Sequence, residues 1–198
     1  MQKLLFVLIF MGLLPAASLG AADSKADYKN GDRLTQPAPV DPASAGYKEI
    51  NWDALVPKGW DPIQALKGMD LGKLKDTDPR AMDALQKLKD TWDSAPVDSS
   101  WRGQRVRIAG FMVPLEQGRQ KITEFLLVPY FGACIHMPPP PANQIIHVIS
   151  AKPLKGFISM STVWVSGTMD TAHIASPWGA SGYKMKADLV VPYTESRR

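Results

Sequence analysis

Hydrophobic and polar positions divide this chain into four stretches. Leu4 to Leu14 is a nearly unbroken apolar run, broken by Pro15 and followed by small residues. Ala22 to Ala45 is rich in Pro, Ala, Ser, Asp and Lys and shows no apolar period. Ile50, Trp52, Leu55 and Val56 then arrive close together, and helical spacing follows. After Trp101 the period falls to two, which is the period of a half-buried strand.

The helical stretch predicts two helices. Asp61 as N-cap and Pro62 in the first turn open a short one over 62–69. Asp78 and Pro79 open a second, in which Ala81, Leu85, Leu88 and Trp92 share one face. Pro96 closes it, and the apolar face is read as packing. The alternating stretch predicts five strands: Val106 to Leu115, with a possible bulge at Gly110; Ile122 to Val128; Gln144 to Ser150; Thr162 to Met169, containing Gly167; and Tyr183 to Val191. In the last, Tyr183, Met185, Ala187, Leu189 and Val191 face one way, and Lys184, Lys186 and Asp188 the other.

Five short strands with glycines at bends point to a mainly β protein. The expected architecture is a small OB-like five-stranded barrel with an N-terminal helical extension; a β-sandwich fragment is the alternative. The expected division is a signal peptide over 1–22, a flexible leader over 23–46, a helical segment over 47–100 and the barrel over 101–198.

Composition narrows the setting. The chain has 198 residues, 45% hydrophobic and 21% charged, with a formal net charge of +4. That composition is globular and excludes wholesale disorder, a collagen-like fibre and a polytopic membrane protein. Lys3 ahead of the first apolar run, and the small residues of Ser18-Leu19-Gly20 or Gly20-Ala21-Ala22 after it, form a cleavable secretory signal. The run is short for a membrane span, although an uncleaved anchor is the alternative. The expected location is therefore the periplasm, an oxidising compartment. One cysteine excludes an internal disulfide framework.

Candidate chemistry concentrates in FLLVPYFGACIHMPPPPANQIIHV, Phe125 to Val148. This stretch holds the only cysteine and two of the three histidines. Cys134 and His136, two apart, would point the same way in extended chain. Pro138 to Pro141 stiffen the connection, and His147 returns on the next strand with its flanks facing the opposite side. Thiolate and imidazole are ligands suited to zinc, and soft enough for copper(I). His173, expected in the loop before the last strand, is a further candidate ligand. The alternative is a structural segment, in which Gly132 and the prolines fix a turn and Tyr130, Phe131 and Met137 plug the barrel end. Thiol catalysis, with His136 activating Cys134, is a third reading, although no Cys-x-x-Cys occurs. Asn143 and Gln144 would either orient the site or end the proline turn.

Arg102, Arg105, Arg107 and Arg119 with Trp101 and Phe111 would make a single-strand-binding stripe. The secretory address argues against nucleic acid. No phosphate loop, nucleophile elbow or HExxH-type helix occurs.

The same run, with the upstream INWDALVP and VRIAGFMVPLE, resembles a bacterial secreted family known as domain of unknown function 3299. The resemblance spans roughly Tyr47 to the last strand. It implies a small periplasmic barrel of OB type, an accessory role beside an ABC-type membrane transporter component and a link to zinc homeostasis. Its motif covers Gly132, Cys134, His136, the prolines, Asn143 and Gln144; His173 lies outside it. The function expected from residues and resemblance together is a periplasmic zinc- or copper-binding accessory protein. A metal-free module docking a membrane complex through its proline-rich loop is the alternative.

Overall fold

The computed structural model describes residues 27–34, 45–67, 79–116 and 121–193. The expected signal peptide and most of the expected leader lie outside these residues, as do Asp78, Met69 and Arg119.

A six-stranded sheet dominates: β1 (Lys48–Glu49), β2 (Arg105–Pro114), β3 (Ile122–Val128), β4 (Ile146–Leu154), β5 (Thr162–Ser176) and β6 (Gly179–Pro192). The strand order is β1-β2-β3-β4-β6-β5, and β5 also pairs with β2. Strands β2 to β6 therefore form a closed ring. Its pairs are antiparallel except β4 with β6, which run parallel. The two-residue β1 joins β2 in parallel, so the sheet has one strand more than the alternation predicts.

Alternation sorts each strand into two faces. Val106, Ile108, Met112, Phe125, Leu127, Ile146, Val148, Val163, Val165, Met169, Tyr183 and Met185 come from all five strands and form one buried cluster inside the ring. Each fully buried side chain of this kind contributes roughly 1.5–3 kcal/mol. Phe111, Val113, Leu126 and Val128 point the other way. They make a second cluster outside the ring, with Ala133, Cys134 and Ile145.

Within the ring, strand β2 serves two neighbours. Arg105 to Phe111 pair with β5, and Phe111 to Pro114 with β3. The register runs unbroken through Gly110, so the expected bulge is absent. Glycine is needed there for another reason: a Cβ would sit 2.8 Å from both Leu127 Cγ and the Val128 carbonyl oxygen. Gly167 does mark a bulge, where the β5–β6 register shifts between Ser166 and Gly167.

The longest departure from the expected strands is the β5–β6 hairpin. Both strands extend well beyond the predicted limits, through Ser176 and from Gly179, around a turn at Pro177 and Trp178. Polar and small residues mask the alternation there, so pairing rather than pattern defines the strand.

Among the described residues, the N-terminal segment contains one α-helix, α1 (Pro79–Asp93), where the second helix was expected. The other is reduced to a 3₁₀ turn at Gln64–Leu66. Packing differs from the expected face: Ala84 is buried, whereas Leu85 is 60% exposed. Trp92 is half-buried and anchors the helix by donating its Nε1–H to the Pro62 carbonyl at 3.0 Å. Part of the stretch expected as flexible leader is packed. Tyr28 sits edge-on to Phe111 at 5.3 Å and stacks on Phe131 at 6.0 Å. Gly31 N–H donates to the Phe131 carbonyl and Phe131 N–H to that of Asp32. The Tyr28 ring, two backbone bonds, the Arg33–Tyr130 bridge and the packing of Leu34 place this segment without any apolar period.

Candidate functional site

The loop between β3 and β4 is built around one carbonyl. Gly132 O accepts from the amides of Ile135, His136 and Met137 at 3.2, 2.8 and 3.0 Å. Gly132 has a positive φ of 82°, and a Cβ there would meet the Asn30 side chain at 2.4 Å. Tyr130 closes the loop by donating its hydroxyl to the Pro138 carbonyl at 3.0 Å.

This winding takes Cys134 out of extended backbone. Cys134 adopts a left-handed φ of 66° instead of extended backbone. Its thiol is buried in the outer apolar cluster beside Leu126 and Ile145, while His136 is exposed. Burial pushes the Cys134 thiol up to about 12. The Tyr130 phenol is likewise pushed up to about 12, by burial first and then by Cys134, with Arg33 opposing. The loop thus keeps Cys134 a neutral thiol at ordinary pH. Phe131 and Tyr130 pack over the outside of the ring rather than plugging its end.

His147 lies on β4 opposite Leu126, with Ile146 and Val148 turned into the ring as alternation requires. Its Nε2 is 3.4 Å from Glu124 Oε2. Neither ring nitrogen makes a hydrogen bond, although both are buried. Glu124, the single acidic position in a mostly apolar strand, is a neighbour the sequence reading missed. His173 is on β5 and not in a loop. It lines an open cleft of about 470 Å³ together with residues 94–97, Thr171, Ala172 and Gly182. Among the described residues, no three His, Cys, Asp or Glu side chains gather into a group that could hold a metal ion. Cys134, His136, His147 and His173 are therefore not assembled into one site. The loop is wound rather than extended, and the hairpin carries His173 to a separate cleft.

Asn143 and Gln144 end the proline run in a 3₁₀ turn, Ala142–Gln144. Their amides hold the N-terminal segment to the ring: Asn143 Nδ2 donates to the Pro96 carbonyl at 3.0 Å, and Gln144 Nε2 to that of Trp52 at 2.8 Å. The arginine stripe is occupied internally. Arg107 is buried against the Trp164 ring at 4.0 Å, Arg105 stacks on Tyr47 at 4.4 Å, and Arg102 contacts Asp170 and Thr171.

A mainly β domain with a helical extension, its proline-braced loop pressed onto the outside of a strand ring, is the class these observations define. The chain belongs to the DUF3299 family of proteins of unknown function, whose model matches residues 52–192. It is similar to a crystal structure of a DUF3299 family protein from Pseudomonas aeruginosa. The two share 35% identity over 77% of this chain and 100% of that one, with a TM-score of 0.60. A Leishmania major protein assigned as an aspartyl-tRNA synthetase reaches 15% identity over 50% of this chain and 19% of its own. Its TM-score of 0.31 carries no structural argument. No curated protein matches the chain.

Proposed function

We propose that this protein is a periplasmic binding module on an OB-like barrel, and that its β3–β4 loop docks a component of an ABC-type membrane transporter. The ring order with a parallel β4–β6 pair supports the OB-like reading. One observation carries the docking reading: three successive amides converge on Gly132 O and hold an exposed His136 on a braced loop. A loop ordered before binding loses little conformational entropy when it binds. The neutral, buried Cys134 thiol favours a binding role over thiol catalysis.

A photo-crosslinking residue in place of His136, in cells, tests the reading, with the same residue at exposed Lys186 as control. The expected product joins position 136, but not 186, to a transporter subunit. Equal crosslinking from both positions, or none from 136, rejects loop docking. Fractionation and the mass of the mature N-terminus test the periplasmic address; an unprocessed cytoplasmic chain rejects it.

A second reading has its own observation. The two buried nitrogens of His147, neither of them hydrogen-bonded, suit zinc or copper(I), with Glu124 beside Nε2. Cys134 and His136 would complete the set only if the loop unwound on binding. Metal content and melting temperature with added zinc or copper(I) decide it. A melting shift lost in both Cys134→Ser and His147→Asn supports the metal; no shift in the unaltered protein rejects it.

A further inference from the structure

We infer that the β4–β5 loop rests on an anionic lipid surface, with the Ile158 side chain entering the headgroup layer and the lysines around it meeting lipid phosphates. The loop joins Leu154, the last residue of β4, to Thr162, the first of β5. Ile158 is 68% exposed, the most of any large hydrophobic residue described. Leu154 and Phe157 instead pack against the cluster inside the ring. Lys152, Pro153, Lys155, Gly156, Ile158 and Ser159 are all exposed, so the tip projects.

An isolated exposed isoleucine is common on a protein surface and signifies nothing alone. Its backbone sets this one apart. The Ile158 amide donates to Ser161 Oγ at 2.9 Å, and the Ile158 carbonyl accepts the Ser161 amide at 3.0 Å. Both backbone groups of the residue are satisfied within the turn, as a lipid layer requires of a segment that leaves water. The turn is also fixed in advance. Met160, at a left-handed φ of 65°, donates its amide to the Met112 carbonyl at 2.8 Å, and the Ser161 carbonyl accepts the Met112 amide at 3.0 Å. Strand β2 therefore holds the tip in place before any surface is met.

Charge selects the kind of surface. From Phe125 to Met169 the chain has no acidic residue, and its only Lys or Arg are Lys152 and Lys155. The Ile122–Leu154 pair brings a third lysine to the loop, because Lys121 and Lys155 continue the two chains directly beyond it. Like charges set side by side repel. None of these lysines makes an ion pair among the described residues. Of the acids nearest in sequence, Glu124 is turned to His147, and Glu116 has a partner of its own. An aliphatic tip among unpaired ammonium groups matches a lipid surface, which is apolar beneath its phosphates. A protein partner would have to supply a pocket for Ile158 with acidic groups around it, whereas lipid yields to a projecting side chain.

The test is co-sedimentation of the soluble chain with vesicles of phosphatidylcholine alone, or with one-third phosphatidylglycerol. Binding is expected only to the anionic vesicles. Each lysine near such a surface is worth about fivefold in binding, so Lys152→Gln with Lys155→Gln should weaken it about 25-fold. Ile158→Ser should weaken it about threefold or more. His136→Ala should leave it unchanged, which separates this surface from the β3–β4 loop, on which the inference does not rest. With Cys134 buried, a polarity-sensitive dye on Ser159→Cys should brighten on anionic vesicles, and the same dye on Lys87→Cys in α1 should not. Inorganic phosphate should displace the protein no better than chloride at equal ionic strength. Equal binding to both vesicles, no binding, undiminished binding of either loop variant, a silent dye at 159, or displacement specific to phosphate would each overturn the inference. If one loop variant does not fold, the other and the dye decide it.

Discussion

The hydroxyl of Tyr183, on a side chain wholly inside the ring, donates to the carbonyl of Leu55 at 2.7 Å. It also accepts the amide of Asp98 at 2.8 Å. One phenol thus ties β6 to both ends of the N-terminal segment. Burial pushes it up to about 12, so it stays a neutral donor and acceptor at physiological pH. Tyr183→Phe leaves the Leu55 carbonyl and the Asp98 amide without that partner. The expected loss of stability is about 1–3 kcal/mol, read by urea denaturation. A loss below about 0.3 kcal/mol would show that water replaces both bonds.

Gly167→Ala should be among the most disruptive small substitutions in the ring. The added carbon would sit 2.2 Å from the Lys186 carbonyl oxygen, a backbone atom that no rotamer change can move. Overpacking at such a contact costs about 1–3 kcal/mol or more. A melting temperature within a degree of the unaltered protein would contradict the close approach.

High pH should weaken the fold through Cys134. Its thiol titrates near 9 when free of burial and near 12 in the folded protein. Above pH 9 the unfolded chain releases this proton while the folded chain retains it. Stability from this group is therefore complete below pH 9 and is lost as pH rises towards 12. The phenols of Tyr130 and Tyr183 move in the same direction but start from 10. Between pH 9 and 10, Cys134→Ala should give a flatter dependence of stability on pH. Equal slopes in the two proteins would refute the buried neutral thiol. At pH 8 iodoacetamide should label the folded protein far more slowly than the urea-unfolded chain.

Tyr28→Ala should loosen the loop as well as the fold. Its ring contacts both Phe111, beneath, and Phe131, within the loop. Loss of these contacts should cost about 1–3 kcal/mol, between an exposed aromatic pair and full core truncation. Faster amide exchange at Ile135, His136 and Met137 is the accompanying expectation. A cost with unchanged exchange there would show that the loop holds itself.

Helix α1 shows why its apolar face was readable and its packing was not. Helical spacing located the element, but Leu85 is exposed and Ala84 is buried. A face is oriented by what packs against it, and here a short turn and the Trp92–Pro62 bond set that orientation. The candidate site follows the same division. His147 faces outwards with its neighbours turned in, as a period of two requires. Cys134 lies in a wound loop instead of extended chain because it is itself left-handed, and no pattern at that position announced it.

The sequence by itself determined the mainly β class, the presence and order of the five long strands, the main helix and the family. Each of these is local: alternation, capping and a contiguous motif act over a few residues. Tertiary structure alone decided the length of the β5–β6 hairpin, the packing of Tyr28 and the separation of His173 from the other candidate ligands. These depend on strand pairing and close backbone approach between residues distant in sequence. Register, rather than local preference, fixes which side chains meet.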